Sequence, residues 1–89
     1  MRAKLVNESE ITNLKKLDKS PKNLSIIDSF LQNHDVIADM WDRRISKYYP
    51  YGGTDNGWSD VERDSPNSYN DAWDEAMYTL NSLEESTQF

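Results

Sequence analysis

Few residues of this 89-residue chain are of a type and spacing suited to chemistry. The single histidine, His34, and the carboxylates Asp71, Asp74 and Glu75 are the candidates for proton transfer. His34 has no serine or cysteine nucleophile placed beside it by a motif, and no second histidine exists to share a metal with it. It therefore reads as a polar residue set in a helix seam, where its ionisation would make helix pairing pH-sensitive. The three carboxylates match an acid and base pair in type, but no substrate pocket can be recognised around them. Cysteine is absent, which excludes disulfides, thiolate zinc sites and cysteine nucleophiles. A helix-flanked calcium loop needs oxygen ligands at positions 1, 3 and 5 and glycine at 6. Counting from Asp55 puts Gly57 at 3, Ser59 at 5 and Asp60 at 6, so the pattern fails. The expectation is a protein that is not an enzyme and carries neither cofactor nor metal.

Recognition chemistry is better represented. Tyr49, Tyr51 and Trp58 lie among Gly, Asn, Asp and Ser, a composition resembling binding loops, in which rigid aromatics supply contact area at low entropic cost. Trp41, Tyr48, Tyr69 and Trp73 fall on helix seams instead and read as core. The carboxylates Asp55, Asp60, Glu62, Asp64, Asp71, Asp74 and Glu75 form an acidic run. Its plainest reading is a solvated face; its sharper one is a patch that meets a basic surface, such as the nucleic-acid groove of another protein, and imitates phosphate charge. The partner-binding set is then Tyr49, Tyr51, Trp58, Asp60, Glu62, Asp64, Asp71, Asp74 and Glu75.

Charge divides the chain in the same way. Residues 1–50 carry nine Lys and Arg against seven Asp and Glu, a net of +2, whereas residues 51–89 carry Arg63 against nine acids, a net of −8; together they give −6. The acidic half would repel phosphate backbones, which argues against direct nucleic-acid binding. Two basic groups remain, Lys15, Lys16, Lys19 and Lys22, and Arg43, Arg44 and Lys47. Asp39 stands four residues before Arg43, the spacing of a helical ion pair. Phosphate contact is the functional alternative for these cations, and a homo-oligomer that sequesters a phosphorylated small molecule such as a nucleotide is the second functional reading.

The elements that must position these groups are helical. Asn7 and Glu10 have capping-box spacing ahead of Ile11, Leu14 and Leu17, a short helix ending near Asp18. Ser20-Pro21 is a stronger start, with a capping hydroxyl followed by a proline that needs no N–H partner. Leu24, Ile27, Leu31, His34, Ala38, Trp41, Ile45 and Tyr48 then alternate steps of three and four, with Phe30 and Ile37 widening the stripe. A continuous helix from Pro21 to Tyr49 would be about 43 Å long at ~1.5 Å per residue. A globule of this size has a radius of gyration of about 12 Å. Either the helix breaks at Asn33-His34-Asp35, with Asp35 capping the next one, or a second subunit covers the seam from Leu24 to Tyr48. The polar triplet favours the break.

Residues 49–66 read as a long loop with one helical turn at Ser59 to Glu62. A last helix starts between Ser65 and Ser68, with Ser68 and Asp71 as a capping pair and Tyr69, Trp73, Ala76, Leu80 and Leu83 as its seam. No stretch alternates with period two. The expectation is one domain over residues 1–89, an all-α bundle of three or four helices with one long aromatic and glycine-containing loop. With a mean hydropathy of −0.91 and no apolar run near the ~18 residues of a membrane span, it reads as soluble and cytoplasmic.

The opening residues MRAKLVNES resemble the starts of small accessory proteins of tailed phages, of the anti-defence or host-takeover type. The stretch YNDAWDEAMYTL from Tyr69 to Leu80 is similar to the C-terminal helix of many short phage reading frames. The resemblance implies an infected bacterial cytoplasm and a stoichiometric inhibitor or adaptor acting on a basic host enzyme or defence complex.

Overall fold

A computed structural model describes residues 8–48 and 57–87. Within them the chain is all-helical, in the order α1 (Glu8–Lys15), α2 (Pro21–Gln32), α3 (Ala38–Ile45), α4 (Gly57–Asp64) and α5 (Pro66–Thr87). The described residues thus hold five helices where three or four were expected, and the difference comes from α4. The capping pair Asn7 and Glu10 lies partly outside the described residues. Tyr49, Tyr51 and Asp55, within the 49–56 part of the expected loop, lie wholly outside them.

Helix α2 starts as its sequence dictates. Ser20 is extended at φ −156°, its Oγ accepts from the Asn23 N–H at 3.2 Å, and Pro21 occupies the first turn. Helix α2 ends at Gln32, the Asn33 N–H donates to the Phe30 carbonyl, and residues 33–37 turn before α3. The polar triplet does break the helix, but Asp35 does not cap the next one. Ile37 holds that position without a side-chain cap, and the His34 carbonyl accepts from both Ile37 N and Ala38 N. Burial decides this, because Ile37 is only 2% exposed and its contribution to the core outweighs that of a capping carboxylate.

The break lets the seam fold back on itself. Leu24, Ile27 and Leu31 of α2, Ile37 and Trp41 are all buried within the chain, while His34, Ala38, Ile45 and Tyr48 of the same stripe are half-buried. Ile11 and Leu14 of α1 join them, with Leu17 packed at the edge. Helix α5 supplies the rest through Tyr69, Ala72, Trp73, Ala76, Leu80 and Leu83, the expected stripe. At 22 residues α5 is about 33 Å long. It is the spine against which α1, α2, α3 and α4 all pack.

Residues 57–64 form a two-turn helix rather than loop. Its apolar side is Trp58, buried at 3% exposure, with Val61 half-buried beside it. One residue, Ser65, joins α4 to α5. Its N–H donates to the Val61 carbonyl at 2.8 Å and its own carbonyl accepts from Tyr69 N–H at 3.0 Å. Ser65 therefore closes one helix and opens the next, with Pro66 in the first turn of α5. Ser68 and Asp71 accordingly lie inside α5 and are not its cap.

Candidate functional site

The site residues divide by burial. Trp58, expected as a partner contact, packs into the core, its ring 6.3 Å from Trp41 in a near-parallel stack at 27° and 6.3 Å from Tyr48 at 49°. These separations suit aromatic pairs. The cluster encloses a carboxylate. Asp28 Oδ1 accepts from Trp41 Nε1 at 2.7 Å. Burial raises the Asp28 pKa above its ordinary 3.8, opposed chiefly by the hydrogen bond from Trp41. Trp58 thus serves the interior, and the small polar residues preceding it in sequence gave no sign of that.

Glu75 is also removed from the outward-facing set. Lys47 Nζ lies 3.2 Å from its Oε2 and the Tyr48 hydroxyl donates to the same oxygen at 3.0 Å. Arg44 Nε lies 3.1 Å from Oε1, an ion pair without hydrogen-bond geometry. Glu75 therefore clamps the end of α3 to the middle of α5. Burial, then the hydrogen bond to Glu75, pushes the Tyr48 hydroxyl far above its usual pKa. Asp39 and Arg43, placed for an i,i+4 pair, make none; Arg44 and Lys47 turn to α5 instead.

The remaining acids face solvent. Glu62, Asp64, Asp71 and Asp74 are exposed and Asp60 is half-buried. Arg63 bridges Asp60 at 2.8 Å and Asp64 at 3.3 Å, which leaves the short α4 partly neutralised. On α5, Asp71, Asp74 and Tyr78 stand at i, i+3 and i+7 and share one face of the helix. Tyr78 is 58% exposed and the Arg44 guanidinium lies 5.1 Å from its ring centre. Tyr78 was not among the expected contacts. The available signal was its place two residues off the buried Trp73, Ala76, Leu80 and Leu83 seam.

His34 is half-buried at the helix break, its ring 5.1 Å from that of Phe30. Among the described residues no three His, Cys, Asp or Glu side chains come together in a way that could hold a metal ion. No helix among them is long and apolar enough to cross a membrane. Comparison with protein-family models, with curated proteins and with solved structures finds no match to this chain.

Proposed function

We propose that this protein is a non-enzymatic binding protein, an inhibitor or adaptor that docks on a basic surface of another protein, of the kind that handles nucleic acid or serves in defence. The observation that carries the reading is the outward stripe of α5. Two exposed carboxylates, Asp71 and Asp74, share a face with the exposed Tyr78 on a helix whose other side is anchored in the core. The carboxylates speed encounter with a basic partner and select it, while the aromatic ring provides the area that is buried on contact. Glu62 and Asp64 of α4 extend the negative potential. Tyr49 and Tyr51, which lie outside the described residues, remain part of the proposal on the composition of their segment; Trp58 and Glu75 act from within, Trp58 by packing α4 on Trp41 and Tyr48 and Glu75 by holding the end of α3 to α5.

The test is a comparison of two columns. Wild-type protein and a D71N, D74N, Y78A variant of unchanged helicity are immobilised, exposed to bacterial lysate and eluted with rising salt. A basic protein retained by the wild type, released by salt and lost from the variant supports the reading. Equal retention by both columns, or none by either, overturns it.

A further inference from the structure

A groove of about 300 Å³ runs along α3 and the turn after it, lined by Met40, Arg43, Arg44 and Lys47. Their spacing of i, i+3, i+4 and i+7 makes them one stripe of a helical surface. The volume matches the small end of ligand sites. Three of the four lining side chains are cations, in a chain whose net charge is −6. Among the carboxylates of the described residues, Glu75 alone pairs with them, and it meets Arg44 and Lys47 but not Arg43. Arg43 is exposed and ion-paired with nothing among the described residues. The cluster therefore carries three positive charges against one paired negative charge.

That excess has a chemical counterpart. A phosphate monoester carries about −1.5 to −2 at neutral pH and presents three strong acceptor oxygens. Guanidinium forks match phosphate oxygens two at a time, and an ammonium adds a point charge. Arg44 is already positioned, held by Glu75 on one side and by the Tyr78 ring on the other. A cation fixed in advance loses less entropy on binding than one that must be ordered. Met40 gives the groove an apolar wall.

We propose that this groove binds a small phosphomonoester, its phosphate between Arg43 and Lys47 with Arg44 as the fixed third donor, and its organic part against Met40. The groove borders the acidic stripe, sharing the Tyr78 ring that lies against Arg44, but its charge is of the opposite sign and it does not rest on the docking reading. Titration of isotope-labelled protein with AMP, inorganic phosphate and adenosine, followed by NMR, tests it. AMP is expected to shift amides of residues 40–48, inorganic phosphate to shift the same amides more weakly, and adenosine to leave them unmoved. In R43Q/K47Q the AMP affinity falls at least tenfold, while K16Q/K22Q, which alters the other basic group, binds as wild type does. If the double variant does not fold, R43Q alone serves, since this exposed side chain has no ion pair to lose. The proposal is overturned if nothing shifts by about 10 mM ligand, beyond the millimolar edge of specific binding. It is overturned equally if adenosine shifts the same amides, or if R43Q/K47Q and R43Q bind AMP unchanged.

Discussion

Trp41 Nε1 donates to Asp28 Oδ1 at 2.7 Å, so the first residue to be fully buried after the helix break is tied back to the helix before it. This bond carries the connection between α2 and α3 into the polar part of the core. Trp41→Phe keeps most of the ring but leaves the carboxylate without its strongest donor. A loss of about 1–3 kcal/mol is expected, the cost of an unmet buried acceptor, read from urea unfolding.

The same carboxylate makes stability depend on pH. Because burial raises its folded-state pKa above 3.8, the folded state holds this proton more tightly than the unfolded state. Its contribution therefore falls as pH rises from 3.8 through the raised value, and is constant above it. Asp28→Asn keeps an acceptor for Trp41 and removes the titration. The stability of the variant relative to wild type should increase with pH over that window and level off at neutral pH. A difference that is flat or runs the other way would show that the hydrogen bonds outweigh burial.

Tyr69 offers the opposite case. Its ring is 2% exposed and its hydroxyl is buried without a hydrogen-bond partner among the described residues. Removing an unsatisfied buried group relieves its desolvation cost, so Tyr69→Phe should stabilise the fold by about 1 kcal/mol at neutral pH. Burial, assisted by the charge of Glu62, pushes the hydroxyl up to about 12, above the ordinary 10.0. Wild type should lose further ground to the variant as pH climbs from 10 toward 12, because the unfolded state releases this proton first. Thermal unfolding of both proteins across that range checks the sign.

Trp58 distinguishes core from contact. Trp58→Ala removes a buried indole, which costs about 3–5 kcal/mol. A domain of this length has a total stability of the order of 4–13 kcal/mol. The loss should therefore consume a large share of the total and shift the urea unfolding midpoint steeply downward. A Trp58→Ala protein as stable as wild type would mean that the ring does not hold α4 in place.

Much of the architecture is legible in the residues themselves. Ser20-Pro21 announces the start of α2, the Asn33-His34-Asp35 triplet marks its end, and five seam positions from Tyr69 to Leu83 are buried as the period requires. Helix α4 is not legible, because GWSDVERD offers only Trp58 and Val61 on its apolar side, too short a pattern to show a period. The composition around Trp58 points outward, whereas its environment is set by Trp41 of α3 and by Tyr48 in the turn after it, both distant in sequence. The clamp made by Glu75 is hidden in the sequence for the same reason. The partners of Glu75, namely Arg44, Lys47 and Tyr48, come from the end of α3 and the turn after it, and spacing along one helix cannot announce a clamp to another element. The exposure of Asp71 and Asp74 follows directly from their positions off the seam.

The clamp itself can be weighed. Glu75→Ala removes three partners at once and should cost about 1–3 kcal/mol, more than an isolated surface pair, because the Tyr48 hydroxyl loses its charged acceptor. Glu75→Gln keeps an acceptor for Tyr48 and should recover part of that loss. Equal stability of the two variants would mean that charge, not the hydroxyl bond, holds α3 to α5.

Lys15 near the end of α1 bonds Asn81 and Glu84 on the last turns of α5, the latter 69 residues away in sequence, and α1 finds its main packing surface on that helix. Translation at roughly 5–20 residues per second puts an interval of about 3–14 s between synthesis of the two partners. Alone, eight residues are far below the ~12–15 that a helix needs for marginal persistence in water. The first of the described helices to leave the ribosome thus waits for the last, and until α5 emerges Ile11 and Leu14 are open to whatever nascent-chain chaperone is nearby.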